Sequence, residues 1–272
     1  MRINHNISAM NTHRQLTYNN DASSKSMEKL SSGYRINRAA DDAAGLAISE
    51  KMRNQIRGLD QASANSQDAI SLIQTAEGAL NETHAMLQRM AELTTKAANE
   101  TITQSDADKI QAEISQLTEQ IDSIATQTKF NTKELLNDGT KTLTFQVGAN
   151  GGETITLSLV DATSAGLGLG GLTDLDASNV TASDNLELIQ NAINTVSESR
   201  SNFGAVQNRL EHTINNLGTT SENLQAAESR IRDVDMAKEM MNMTKNNILT
   251  QAAQAMLAQA NQQPQGVLQL LR

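Results

Sequence analysis

The chain has 272 residues, a net charge of −9, only 2% aromatic residues, one proline and no cysteine. Without cysteine there are no disulfides, thiolate metal sites or cysteine nucleophiles. No basic excess or stripe marks a nucleic-acid footprint, and the longest apolar run is far too short to span a bilayer. A thick core normally draws its bulk from aromatics, so this composition suits thin helix bundles of Leu, Ile, Met and Ala.

The opening residues, Met1 to Ile7, lack the continuous apolar core of a cleaved secretory signal. Residues 3–34 read as a weakly amphipathic helix with Ile3, Ile7, Met10, Met27 and Leu30 on one face. Its middle, Thr17 to Ser26, is almost wholly polar. Such a helix has too little apolar area to oppose its ordering entropy and cannot stand alone. Ser31-Ser32-Gly33 ends it, and a charged connector follows with Arg35, Arg38, Asp41 and Asp42.

From about Ala43 to Asn99 the period is helical again. Ile48, Met52, Ile56 and Leu59 begin an apolar face, and Ile70, Ile73, Leu80, Leu87 and Met90 continue it. Ser105-Asp106-Ala107-Asp108 supplies an N-cap with acidic first-turn residues for the next helix. There Ile110, Ile114, Leu117, Ile121 and Ile124 alternate steps of four and three. The period then drops to two at Leu143, Phe145, Val147 and at Ile155, Leu157, Leu159, a β-hairpin over about 142–160 with a five-residue loop at 148–152. Residues 161–183 are rich in Gly, Ser, Thr and Asp and read as loop. Within them Gly166 to Gly171 lacks the strand–loop–helix context and the following Lys-Ser/Thr of a phosphate loop, and reads as a flexible connector.

A long helix is expected from about Ser183 to beyond Ile231. Ile189, Val196, Phe203, Leu210, Leu217, Leu224 and Ile231 recur every seventh residue. A second column three residues before each holds Leu186, Ile193 and Ile214, but also Arg200 and Gln207. This is the seam of a helix packed along another helix. From Ile189 to Ile231 alone it would run about 63 Å at 1.5 Å per residue, which makes this part of the chain a rod. A second charged stretch, 228–239, leads into a helix over 234–263 rich in Met and Ala, which Pro264 stops, leaving an apolar tail to Leu271. Both chain ends are marginal helices without a core of their own, which could form one by pairing with each other and more readily by packing against other copies. The fold class is therefore mainly α, a long antiparallel helical coiled-coil rod with a small β-hairpin and paired N- and C-terminal helices. None of His5, His13, His84 and His212 has metal-ligand spacing to another. No convergent acid, base or nucleophile and no cofactor site is apparent, so an enzyme is not expected.

Ser31 to Ile48, reading SSGYRINRAADDAAGLAI, resembles the N-terminal hallmark of bacterial flagellins. Glu228 to Ala237 and the tail Gln262 to Arg272 resemble its C-terminal hallmark. The resemblance covers roughly residues 1–140 and 184–272. It implies an inner, tube-forming domain of residues 1–40 and 234–272, and a rod domain of residues 41–233 that includes the hairpin. With only residues 161–183 where larger flagellins insert outer domains, it implies a minimal form without them.

The implied function is a structural subunit that polymerises into the flagellar filament for motility. It would be extracellular, exported unfolded by the flagellar type III route without a cleaved signal, and would fold on assembly. Implied partners are further copies of the chain, an export chaperone at the C-terminal segment, the filament cap and the hook-junction proteins, with no nucleic acid and no membrane. Arg35, Arg38, Asp41, Asp42, Arg230, Arg232, Asp233 and Asp235 would lie at subunit contacts, against the plainer reading of a solvated surface. Gln88 to Leu93 and Gln111 to Ile114 resemble the segments that a host Toll-like receptor reads, with Arg89, Leu93 and Glu113 as contacts and Ala91 where the family often has a basic residue. The alternatives are a hook–filament junction protein, which shares the inner-domain logic, and a non-flagellar coiled-coil scaffold.

Overall fold

The computed structural model describes residues 6–99, 101–172 and 179–270, with side chains described throughout except at 179–181 and 263–270. The long helices are α1 (Ile7–Ser32), α2 (Ala43–Ala97), α3 (Gln104–Gln127), α4 (Asn179–Arg232) and α5 (Met236–Leu270). Between α3 and α4 lie two antiparallel hairpins, β1 (Lys129–Phe130) with β2 (Lys133–Glu134), and β3 (Thr142–Gln146) with β4 (Thr154–Ser158). The chain divides into two compact units, Gln55–Ser221 and Met1–Asn54 with Glu222–Arg272. α2 and α4 contribute to both.

Beside the buried Leu59, Leu72 and Leu93, α2 in the Gln55–Ser221 unit buries positions that step by four and three without a break. They are Ala62, Ser66, Ala69, Ile73, Ala76, Leu80, Thr83, Leu87, Met90, Thr94 and Ala97, with Met86, Ala79 and Ile70 half-buried beside them. Roughly every second place is Ala, Ser or Thr, so neighbouring backbones approach closely while Ile, Leu and Met fill the gaps. The hydroxyls cause no desolvation problem because each donates within its own helix. Ser66 bonds the Ala62 carbonyl at 2.8 Å, Thr83 that of Ala79 at 3.1 Å and Thr94 that of Met90 at 2.8 Å.

α4 repeats the pattern. Ile189, Val196, Phe203, Leu210 and Leu217 are buried as expected. Before the first three of these, however, the buried second column lies four residues back, not three: Asn185, Ala192 and Ser199 are buried, whereas Leu186, Ile193 and Arg200 are half-buried flanks. Small residues at these places admit the neighbouring helix, so the larger ones turn to the seam's edge. Ser221 donates to Asp60 at 3.1 Å, which joins α4 to α2 in this unit.

α3 starts two residues earlier than expected. Thr103 is its N-cap residue, Ser105 lies inside its first turn, and Thr103 Oγ1 donates to the Asp106 carboxylate at 2.8 Å. The hairpin β3–β4 has the expected strands, and a further bond from Val147 N–H to the Glu153 carbonyl (2.9 Å) leaves the five-residue loop 148–152. That loop sits against α2, since a Cβ at Gly58 would come within 2.9 Å of Ala149 Cβ.

The β1–β2 hairpin has no counterpart in the expected elements. Its two-residue turn places Asn131 (φ 48°) and Thr132 (φ 68°) in the left-handed region, as its hairpin geometry demands. It carries Leu135 and Leu136 into the core. The expected flexible connector is not free either. Leu167 and Leu169 are buried, and Ser164 donates its N–H and hydroxyl to Asp122 at 2.7 and 2.8 Å. α4 then begins at Asn179, four residues before the expected Ser183.

The small places in the seam give the first prediction. Ala76→Leu overfills a fully buried position and lowers stability by about 1–3 kcal/mol, and Leu87→Ala empties one at about 2–5 kcal/mol. Both are read as a fall in the thermal unfolding midpoint of the full chain by circular dichroism. An unchanged midpoint for Ala76→Leu would mean that the small residues do not mark close approach.

Candidate assembly surface

In the other unit α1 and α5 pair antiparallel, with Asn6 bonded to Ala260 and Ser23 to Asn247. The sheltered positions of α1 step three and four through Ala9, Thr12, Leu16, Asn19, Ser23, Ser26 and Leu30. Those of α5 run through Glu239, Met243, Asn246, Thr250, Ala253, Leu257 and Ala260. The polar middle of α1 is thus its inward face, and Ser23 donates to Asn247 Oδ1 at 3.0 Å across the contact.

The large apolar residues lie mostly on the outside. Ile7 is 68% exposed, Met10 67% and Tyr18 70%, against 7% for Ser23 and 5% for Ser26. Met27, Met236, Met240, Met241, Ile248 and Met256 are exposed as well, and Met240, Met241, Ile248 and Leu249 line a shallow apolar groove with Thr244 and Lys245. The expected apolar face of Ile7, Met10 and Met27 is therefore real but does not meet α5, while Leu30 is half-buried and Ile3 lies outside the described residues. Ile48 is exposed too, whereas Met52 and Ile56 are half-buried.

α1 opens at Asn6, whose side chain accepts from Ala9 N–H, and closes at Gly33 (φ 75°), whose N–H returns to the Lys29 carbonyl. The two connectors then bind each other. Arg35 N–H donates to the Arg232 carbonyl at 2.6 Å and Val234 N–H to the Gly33 carbonyl at 3.0 Å, around a bridge between Tyr34 and Asp233. The Arg35 guanidinium reaches the Ile231 carbonyl at 2.6 Å at the end of α4. The Arg232 guanidinium lies 5.0 Å from the Tyr34 ring centre and pairs with Glu50 on α2. Arg53 pairs with Glu228 at 3.9 Å beside it.

Three more of the expected contact residues shape the chain locally. Asp41 accepts from the N–H groups of Arg38 (3.0 Å) and Asn37 (3.2 Å). Asp42 accepts from Gly45 N–H at 2.8 Å, in the first turn of α2. A side chain at Gly45 would run into the Asp42 carboxylate and into Ile36 Cδ1 at 2.8 Å, so the turn requires glycine. Asp235 accepts from Lys238 N–H at 3.1 Å at the start of α5. Arg38 pairs with Glu28 on α1 at 2.9 Å, while Arg230 and Asp233 carry exposed side chains.

The expected receptor residues belong to the Gln55–Ser221 unit. Arg89 bonds Glu113 at 3.0 Å and Glu92 at 3.2 Å, which joins α2 to α3 on an exposed face. Leu93 is buried in the core and Ala91 is half-buried. No helix among the described residues is long and apolar enough to cross a membrane.

Similarity to known proteins covers the same two parts of the chain. Residues 3–142 match the model of the bacterial flagellin N-terminal helical region, and residues 186–271 that of the C-terminal helical region. The chain is 61% identical to flagellin of Halalkalibacterium halodurans and 58% identical to flagellin of Bacillus subtilis, each over the whole of both chains. Among solved structures it resembles Bacillus cereus flagellin (TM-score 0.51, 35% identity, 61% of this chain and 94% of that one). It also shares a fold with a putative flagellar hook-associated protein of Vibrio parahaemolyticus (TM-score 0.60, 14% identity, 71% of this chain and all of that one).

The hydrogen bonds from Arg38 N–H first, and then Asn37 N–H, hold the Asp41 carboxyl below its ordinary value of 3.8. What Asp41 contributes is fully present above that value and is lost as pH falls through the lowered native one. Asp41→Asn therefore lowers the unfolding midpoint at neutral pH and flattens its fall on acidification, read by melts between about pH 2 and 6. A fall as steep in the variant as in the parent would assign the acid sensitivity elsewhere.

Proposed function

Because this chain belongs to the bacterial flagellin family, a family of structural proteins rather than enzymes, we propose that it builds the extracellular flagellar filament by covering the apolar outer faces of α1 and α5 with those of neighbouring copies. The observation that carries this mechanism is the inverted distribution of side chains in the terminal pair. Ser and Asn meet within the pair, while Ile7, Met10, Met241 and Ile248 face solvent. Only other molecules can take that surface out of water, so ordering of the ends and assembly are coupled. The largely polar contact within the pair supplies little on its own, which favours export unfolded and folding at the growing tip.

Residues 1–40 with 234–272 then serve as the inner, tube-forming domain and residues 41–233 as the rod. The cross-linked connectors hold the passage between them. Arg35, Arg38, Asp41, Asp42, Arg232 and Asp235 keep the connectors in shape through their bonds within the chain. Together with the exposed Arg230 and Asp233 they set register against neighbours, where charge serves specificity more than strength. The exposed groove along Met240 to Leu249 is the natural seat of an export chaperone before assembly. The cap and hook-junction proteins meet the same terminal helices at the ends of the filament, and passage follows the flagellar type III route. A host Toll-like receptor would read Arg89 and Glu113 directly, while Leu93 is buried in the core.

The test alters the outer faces only. Met10→Asp with Ile248→Asp abolishes elongation from filament seeds in electron micrographs, while the thermal transition of the full chain keeps its midpoint within about 1 °C, since exposed sites carry little of its stability. Filaments of normal length from the double variant would exclude these faces from assembly.

A further inference from the structure

The expectation that Pro264 stops the last helix is not met, because α5 continues through it to Leu270. Proline inside a helix has no N–H to give, so the carbonyl four residues earlier loses its helical donor. That carbonyl belongs to Ala260, a buried residue on the α1-facing side of α5. A sheltered carbonyl without a donor is strongly unfavourable. Here the donor comes from the far end of the chain. Asn6 Nδ2 donates to the Ala260 carbonyl at 2.8 Å, across 254 residues of sequence.

The same amide has a second task. Its Oδ1 accepts from Ala9 N–H at 3.1 Å and caps the start of α1. With the oxygen committed to Ala9, the NH2 group must point the other way, so the two bonds fix one orientation of the amide between them. An asparagine satisfies both helices at once. Aspartate and serine also make good N-caps, but neither has an amide donor to give.

We propose that Asn6 is a positioning residue for assembly, which sets the register of α1 against α5 by capping the carbonyl that Pro264 leaves unpaired. The proline acts as an address. It marks one carbonyl within α5, and a polar helix pair that has few shape constraints locks at that point. Sliding α1 by one turn leaves Ala260 without a donor. The proposal rests on the assembly reading above, in that correct pairing of the ends limits polymerisation.

The test is a double-mutant cycle on the full chain, read as the critical concentration for elongation from seeds. Asn6→Asp keeps an acceptor for Ala9 N–H and adds a favourable charge at the helix N-terminus, so a residue acting as a cap alone would be unharmed by it. The register role instead raises the critical concentration about tenfold, as expected for an unpaired buried acceptor. Pro264→Ala returns an N–H to Ala260, and in that background Asn6→Asp changes the value by less than about threefold, because the carbonyl no longer needs Asn6. The proposal is overturned if Asn6→Asp elongates like the parent, or if it loses as much in the Pro264→Ala background as in the parent. Failure of the unaltered chain to elongate would remove the assembly reading itself and this proposal with it.

Discussion

Helix contacts repeated at steps of four and three, with a small residue at about every second place, are the constraint on which the molecule depends. In the Gln55–Ser221 unit the small places alternate with Ile, Leu, Met and Phe203. Close approach and apolar burial then reinforce each other, at roughly 25 cal/mol per Å² of apolar surface removed from water. In the terminal unit the spacing is the same but many of the places hold Thr12, Asn19, Ser23, Asn246 and Thr250. The geometry survives and most of the hydrophobic contribution does not. One unit is self-sufficient, and the other is left with much of its apolar surface facing outward.

That difference links stability to function. A subunit whose ends were fully stable alone would have no reason to exchange solvent for neighbours, and one without an ordered part would have nothing to present to them. Hydroxyl and amide groups at the α1–α5 contact add direction where apolar packing adds little. Ser23 to Asn247 and Asn6 to Ala260 are point contacts, whereas an apolar seam would tolerate sliding.

The connectors are built on a related logic. Between Gly33 and Ala43 the chain makes no regular structure beyond one bridge, yet most of its polar groups are committed. Asp41 and Asp42 serve backbone N–H groups, Arg35 takes the last carbonyls of α4, and Arg232 is held between Tyr34 and Glu50. Individually such exposed bonds are weak. Together they fix how α1 and α5 leave the ends of α2 and α4 within their unit, which lets marginal helices start from a defined point.

The heptad of Ile189 to Leu217, the period-two alternation of Leu143 to Leu159, the absence of proline before residue 264 and the glycine at the end of α1 determined the helices, the β3–β4 hairpin and their order, because each is a local pattern with a local cause. The same holds for the marginal nature of the ends, which follows from how little apolar surface they have. Which faces meet was decided only by the tertiary structure. The seam of α2 passes through Ser66, Thr83 and Thr94, and that of α4 through Asn185 and Ser199, residues that count as polar until a bond to their own helix or a close neighbour makes them interior. For α1 the apolar residues pointed to the wrong side, since Ile7 and Met10 face away from α5. The Asn131–Thr132 turn carries no glycine to announce it. Pro264, which alone reads as a stop, is tolerated because a side chain from the other end of the chain supplies the missing donor, and no local pattern contains a partner 254 residues away.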